Sequence, residues 1–92
     1  MTNRTLAQNE GLNLTLFAFD KGEGLSTHAA PGDDMVQVLE GEVQLNIGGK
    51  EVVAKPGEIV VMPADVPHSV NAVTRFKMLL TLVKKSKKAG TE

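Results

Sequence analysis

The sequence predicts an all-β, single-domain protein, a two-sheet jelly-roll barrel of about eight to nine short antiparallel strands. Nine Gly and four Pro residues divide the chain into short runs rich in Val, Leu and Ile, the pattern of strands separated by tight turns. Apolar residues nowhere recur at helical spacing over three turns. Both observations favour a sandwich or barrel over any helical fold.

The first predicted strand is LNLTLFAF, residues 12–19. Its leucines share one face at first, and Phe17 and Phe19 then occupy the other face. This pattern is typical of a strand covered on both sides. The segment DKGEG at 20–24 ends the strand, because Gly and charged residues favour a turn.

The middle of the chain predicts a meander. Residues 35–47 form a strand region broken at Glu40 and Gly41, and the Gly pair at 48–49 predicts a hairpin into KEVVAK. PGE then turns the chain into IVVM, residues 59–62, which is apolar throughout and therefore predicted to be buried. The Pro-bounded loop PADVP leads to a strand beginning HSVNAV.

The last predicted strand, FKMLLTLVK, is apolar on both faces. Phe76, Met78, Leu80 and Leu82 share one face, and Leu79 and Val83 share the other. A strand at the surface of a lone monomer normally keeps one face polar. We therefore expect a homodimer contact here, and the alternative is that an N-terminal strand covers the second face within one chain.

Composition limits the function classes. The 92 residues predict one domain over 1–92, with the barrel at about 12–84 and a flexible, charged tail at 85–92. Ten basic and eleven acidic side chains nearly balance, and three Phe are the only aromatic residues apart from two His, so nucleic-acid recognition is disfavoured. A polar N-terminus and the lack of a long apolar run predict a cytoplasmic protein without a membrane partner.

Two segments resemble the two sequence motifs of the cupin family. The first carries, at the spacing of that motif, Gly22, His28, Ala30, Asp34 and Gly41. The second carries Gly57, Pro63, Asp65, His68 and Ala72, with Asp65 and Ala72 where the family has Gly and Asn. Residues 22–72 span both motifs, and the resemblance implies the small double-sheet jelly roll of that family.

The resemblance also implies a metal site. Metal-binding members of the family hold Fe, Mn, Zn or Ni through two His and a Glu of the first motif and one His of the second. The corresponding residues here are His28, Ala30, Asp34 and His68. Ala30 has no donor atom and Asp34 is one methylene shorter than Glu, so three ligands remain, the composition of a two-histidine, one-carboxylate site. Asp33 and Gln37 have the opposite strand parity and are not expected to contribute.

Two interpretations stay open at this stage. Either His28, Asp34 and His68 bind a divalent transition metal and a small organic ligand, or the histidines are neutral, hydrogen-bonded residues of a metal-free ligand-binding or structural dimer. Strand alternation points Val36, Val38, Val70 and Ala72 inward and predicts an apolar pocket. The fold does not choose between an enzyme, a sensor and a binding protein.

Overall fold

The computed structural model describes residues 1–84, which form nine β-strands in two antiparallel sheets. The predicted all-β jelly roll is confirmed. The strands are β1 Thr2–Gln8, β2 Leu12–Phe19, β3 Gly24–His28, β4 Asp33–Glu40, β5 Val43–Ile47, β6 Lys50–Ala54, β7 Ile59–Met62, β8 His68–Ala72 and β9 Phe76–Val83. Within the described part of the chain, no helix is long and apolar enough to cross a bilayer. The tail predicted at 85–92 lies outside the described residues.

The strand order is that of a jelly roll. One sheet has five strands in the order β1-β2-β9-β4-β7, and the other has four in the order β3-β8-β5-β6. Most neighbours are distant in sequence, so the chain crosses repeatedly between the sheets. Residues far apart in the chain, such as those of β3, β4 and β8, are thereby brought to the same end of the molecule.

The core lies between the sheets and follows the predicted alternation, but the predicted burial of IVVM is wrong on one face, where Ile59 and Val61 are exposed. Val36 and Val38 on β4 are buried, as are Val70 and Ala72 on β8. The remaining buried apolar side chains come from β2, β5, β6, β7 and β9; they are Phe19, Val43, Leu45, Ala54, Met62, Phe76 and Met78. Phe19 and Phe76 stack with ring centroids 5.5 Å apart, which closes the end of the core near the start of β9.

Strand β9 is the centre of the five-stranded sheet, between β2 and β4. The predicted division of its faces is confirmed. Phe76 and Met78 are buried in the core, and Leu80 packs against it. Leu79 and Val83 pair across the ladders with residues of the outer face, including Leu16 and Leu12 on β2.

An N-terminal strand was predicted only as the alternative cover for the second face of β9, since TNRTLAQ is polar; it is present as β1, and every one of its residues is exposed. It pairs antiparallel with β2 at the edge of the five-stranded sheet. A strand in that position extends the sheet sideways. It therefore does not cover the outer apolar face of β9, and the single-chain alternative for that face is wrong.

The predicted break at Glu40 and Gly41 is confirmed, since β4 ends at Glu40 and β5 begins at Val43. Gly41 has φ +78°, a conformation that other residues rarely adopt. The predicted hairpin after β5 is also present, with Gly48 at φ +59° and Gly49 at φ +88°. These turns set the register of β4, β5 and β6 and so place their inward faces over one core.

Candidate metal centre

The two histidines lie directly opposite each other on neighbouring strands. His28 ends β3 and pairs with His68, the first residue of β8, and their ring centroids are 4.5 Å apart. The register shifts between Leu25 and His28. Leu25 faces the core, so simple alternation would turn Thr27 inward. The bulge adds one residue to β3, and the inward position is taken by His28 instead.

Asp34 reaches the pair from the other sheet. It lies on β4, on the same inward face as Val36 and Val38, and is buried. Its Oδ2 is 3.3 Å from Nε2 of His68. His68 is buried as well, whereas His28 is exposed, so the group bridges the sheets at an end of the barrel that opens to solvent through His28.

Both imidazoles are held by the same local hydrogen bond. Nδ1 of His28 donates to the carbonyl oxygen of Ser26 at 2.9 Å, and Nδ1 of His68 donates to that of Val66 at 3.1 Å. A carbonyl only accepts, so each Nδ1 carries the proton. In the neutral ring, Nε2 then presents a lone pair, and the backbone bond orients it as in metal-ligating histidines.

When His68 is neutral, its contact with Asp34 lacks a proton donor. Nε2 of the neutral ring and the carboxylate are both acceptors, and Nε2 is buried with no hydrogen-bond partner among the described residues. Burial raises the pKa of Asp34 above its ordinary value, an effect that His68 and His28 partly oppose. Two buried acceptors facing each other require a proton or a cation between them.

The three residues fit a metal ion by donor chemistry and spacing. One ligand atom from each of His28, Asp34 and His68 lies within 4.8 Å of the others. Ligand atoms about 2.0–2.2 Å from one ion lie roughly 3–3.5 Å apart, so the 3.3 Å contact already has that spacing. Asp34 therefore reaches the site despite its shorter side chain.

The residues that were excluded by parity do face away. Asp33 is exposed, and its Oδ1 accepts the backbone N–H of Ala64 at 2.8 Å. Gln37 pairs with Leu79 and Ile59 on the outer face of the sheet. Ala30 contributes only its backbone oxygen, which accepts the N–H of Asp65 at 2.8 Å.

The loop that precedes His68 is fixed on both sides. Its Asp65 N–H bonds to Ala30, and the carbonyl oxygen of Pro67 accepts the N–H of Gly48 at 2.8 Å. Asp65 has φ +63°, the one positive value among the described residues other than glycine. Asp65 stands where the second motif of the family has Gly. It therefore adopts the left-handed backbone conformation that suits glycine, at a cost in strain.

Replacing Asp65 with glycine is expected to stabilise the protein. The left-handed conformation costs a side chain about 1 kcal/mol, and glycine adopts it freely. Part of the gain is lost to the larger entropy of glycine in the unfolded chain. We expect Asp65→Gly to raise the free energy of unfolding in urea by about 0.5 kcal/mol, and Asp65→Ala to lower it, since alanine lacks the local hydrogen bonding that helps Asp tolerate this region.

The residues predicted to line an apolar interior are buried in the core. Val70 and Ala72 are packed into the core, and Ala72 lies four residues from His68 along β8. A cavity of about 190 Å³ lies near the other end of the five-stranded sheet, lined in part by Phe19 and Phe76. Phe76 is six residues from Leu82, roughly 20 Å along the strand. The site itself meets solvent on the side of the exposed His28.

Asn13 was missed from the sequence. It pairs with Leu82 on β9, which pairs with Asp34 on β4, so all three are on the inner face in one row. The Asn13 Oδ1 is buried without a hydrogen-bond partner among the described residues. The signal was its parity with Phe17 and Phe19, which makes it a polar residue on an inward-facing position.

Comparison with known proteins agrees with this architecture. A family profile described as Cupin domain matches residues 15–83. The conserved protein SPY1581, of unknown function, from Streptococcus pyogenes is 40% identical over 92% of this chain and 75% of its own, with a TM-score of 0.89. A cupin 2 conserved barrel domain protein from Leptotrichia buccalis is 46% identical over 90% of this chain, with a TM-score of 0.86, and this chain spans 40% of it. No curated protein is significantly similar in sequence.

Proposed function

This chain belongs to the cupin family, and from that premise we propose that it binds one divalent transition-metal ion, such as Zn, Fe, Mn or Ni, through His28, Asp34 and His68. Imidazole nitrogen and carboxylate oxygen suit these ions, and three protein ligands leave coordination positions open. The ion, when bound, supplies Lewis acidity and a place for an oxygen donor. The small organic ligand of this proposal occupies those open positions.

One observation carries the proposal. The Nε2 of His68 is buried and unpaired, 3.3 Å from an acceptor oxygen of Asp34. A proton on Nε2 would make the contact an ion pair, although one without the alignment that a hydrogen bond needs. A cation beyond the end of both lone pairs satisfies His68 and Asp34 together and compensates the burial of the carboxylate.

The open side of the site supports a small ligand. His28 is exposed, so an ion held there is accessible from solvent. Asn13 lies in the same inner row as Asp34, two strands away, a separation of roughly 10 Å. Its unpaired Oδ1 would accept a hydrogen bond from a donor on the part of a ligand that extends towards β2.

Metal titration of the purified chain, with any affinity tag removed, tests the proposal. We expect one Zn²⁺ or Ni²⁺ per chain by calorimetry, and a Co²⁺ complex with visible absorption. His28→Ala and His68→Ala are each expected to weaken binding more than ~100-fold, since loss of even an orienting partner of a ligand costs about 10–100-fold. Because His28 is exposed, its variant tests the site even if the buried His68 variant unfolds.

Asp33→Asn is the matched control for Asp34. It changes the neighbouring carboxylate, which faces outward, and asparagine keeps the oxygen that accepts the Ala64 N–H. Its metal affinity is expected to equal that of the wild type. A wild-type chain that binds none of the three ions, or variants of His28 and His68 that bind as well as the wild type, would contradict the proposal. A metal-free ligand-binding or structural role, in which Ala30 marks a lost site, would then be the better account.

A further inference from the structure

A methionine lies beside the candidate metal centre on the inner face of the five-stranded sheet. Met62, the last residue of β7, pairs directly with Asp34 on β4. Both side chains are buried, that of Met62 to 2% exposure, so both point into the space between the sheets. Directly opposed residues of an antiparallel pair have Cβ atoms about 4.5–5.5 Å apart. The thioether is therefore the immediate neighbour of a carboxylate that the proposed function assigns to the metal.

A second buried methionine lies well away from the site. Met78 on β9 is 0% exposed and pairs with Val38 on β4. Val38 is four residues beyond Asp34 on the same strand and face, roughly 14 Å along it. Of the other two methionines, Met35 is half-buried on the outward side of β4 and Met1 is 48% exposed. By exposure alone, peroxide in solution would oxidise Met1 first and the two buried methionines last.

We propose that Met62 is the residue at which hydrogen peroxide modifies the iron-loaded protein, and that this modification weakens the metal centre. The inference rests on the proposed function, because an ion held by the His28, Asp34 and His68 side chains directs the oxidation. Iron, when bound there, supplies the Lewis acidity and redox chemistry that activate a peroxide. His28 is exposed, so a molecule as small as peroxide has access to that side of the site, whereas the thioether itself is buried in the core.

The chemical step is the transfer of one oxygen atom. The O–O bond of hydrogen peroxide breaks, one oxygen forms a bond to the sulfur of Met62, and the other leaves as water with both protons. Sulfur gives up two electrons and peroxide accepts them, so the ion is not consumed and no further reductant is needed. The product is methionine sulfoxide, which methionine sulfoxide reductases return to the thioether.

The sulfoxide disturbs the site because of where Met62 lies. Its oxygen is a hydrogen-bond acceptor placed in an apolar core, beside the carboxylate of Asp34, which is an acceptor as well. A buried acceptor without a donor is costly. The chain relieves that cost only by moving the end of β7 or the carboxylate, and either movement disturbs the position of a metal ligand. Oxidation of Met62 is therefore expected to weaken metal binding.

Peptide mass spectrometry of the tag-free full chain, loaded with Fe²⁺ and treated briefly with hydrogen peroxide, measures which methionine is modified. Met62 is expected to gain its oxygen at least ~10-fold faster than Met78, although both are buried. With Zn²⁺ in place of iron, or with a chelator, the two are expected to react equally slowly. Once iron and peroxide are removed, calorimetry with Zn²⁺ is expected to show at least ~10-fold weaker binding for the oxidised chain, the scale on which the surroundings of a ligand act.

Met62→Leu and Met78→Leu are matched variants, since leucine replaces a buried methionine with little change in volume. After peroxide treatment, Met62→Leu is expected to keep its metal affinity and Met78→Leu to lose it as the wild type does. Equal oxidation of Met62 and Met78 in the iron-loaded chain, modification of the ligand histidines in place of Met62, or an unchanged affinity after oxidation would overturn the inference.

Co²⁺ titration of the untreated wild type separates this inference from the proposed function. A chain that binds the ion but does not oxidise preferentially at Met62 contradicts this inference alone. A chain that binds no ion contradicts both.

Discussion

Replacing Gly41 with alanine is expected to lower the free energy of unfolding by more than ~3 kcal/mol, a large part of the stability of a small domain. Two costs combine at this position. Gly41 has φ +78°, which costs a side chain about 1–2 kcal/mol. An added Cβ would also overlap the carbonyl oxygen of Arg75 and lie 2.8 Å from Oγ1 of Thr74.

The second cost is not relieved by a side-chain rotation. The obstructing atom belongs to the backbone of the turn before β9, and Oγ1 of Thr74 accepts the N–H of Glu42 at 3.0 Å. The carbonyl oxygen of Glu42 in turn accepts the N–H of Val73 at 3.0 Å. Any shift that admits the Cβ therefore breaks the contacts that join the β4–β5 turn to the β8–β9 turn.

Gly49→Ala is the control that isolates the steric cost. Gly49 has φ +88°, but nothing lies within 4 Å of a Cβ placed on it. Urea unfolding at fixed protein concentration should show a loss of about 1–2 kcal/mol for Gly49→Ala, clearly less than for Gly41→Ala. Equal losses for the two variants would mean that the turn before β9 yields, and that the overlap with Arg75 is not decisive.

Replacing Asp34 with asparagine is expected to change stability in opposite directions with and without metal. In the metal-free protein, burial raises the pKa of Asp34. The folded state then binds the proton more tightly than the unfolded state, so the stability contributed by this group falls as pH rises from the ordinary value of 3.8 through the raised value. At neutral pH the buried carboxylate opposes folding.

Asparagine removes that opposition and also supplies the missing donor. After a small rotation its side-chain N–H₂ can donate to the lone pair on Nε2 of His68, which a carboxylate cannot do. We therefore expect metal-free Asp34→Asn to be more stable than the wild type by about 1 kcal/mol at neutral pH. The difference should shrink as pH falls through the raised pKa of Asp34 and be smallest below 3.8, where the wild-type carboxyl is protonated in both states.

Saturating Zn²⁺ should reverse the order. Metal at a hundred times its dissociation constant stabilises the folded state by about 2.7 kcal/mol, and the weaker amide ligand forfeits most of that gain. Thermal and urea unfolding, with Zn²⁺ and with a chelator, measure the stability of each variant in the metal-bound and the metal-free protein. Asp33→Asn, the outward neighbour, should follow the wild type in each. A metal-free Asp34→Asn less stable than the wild type at neutral pH would show that the carboxylate is already satisfied by a proton on His68.

Several features were predictable because they depend on local periodicity. Alternation placed Val36, Val38, Val70 and Ala72 inward, since a strand has a period of two whatever its partner. The Gly pair at 48–49 predicted its hairpin from backbone conformation alone. Asp33 was excluded as a ligand by the same parity. The resemblance to a family then named the three residues that the fold brings together.

Other features were not predictable because they depend on pairing between distant strands. The polar strand β1 has no hydrophobic alternation of its own and forms because the edge of β2 offers it a hydrogen-bonding ladder. Asn13 became a candidate only when the ladders through Leu82 placed it in the row of Asp34. The cavity near Phe19 and Phe76 was likewise not predictable, since the residues that line it come from distant strands.

The sequence by itself determined a two-sheet β domain, its inward residues and three candidate donors, because turn chemistry and strand parity are local properties of the chain. Only the tertiary structure decided that His28 faces inward, since the bulge after Leu25 reverses the parity that alternation implies. It also decided that both Nε2 atoms are free, since the carbonyls of Ser26 and Val66 take the Nδ1 protons. A donor set is a list of residue types, whereas a site requires lone pairs that converge, and convergence follows from the register between strands.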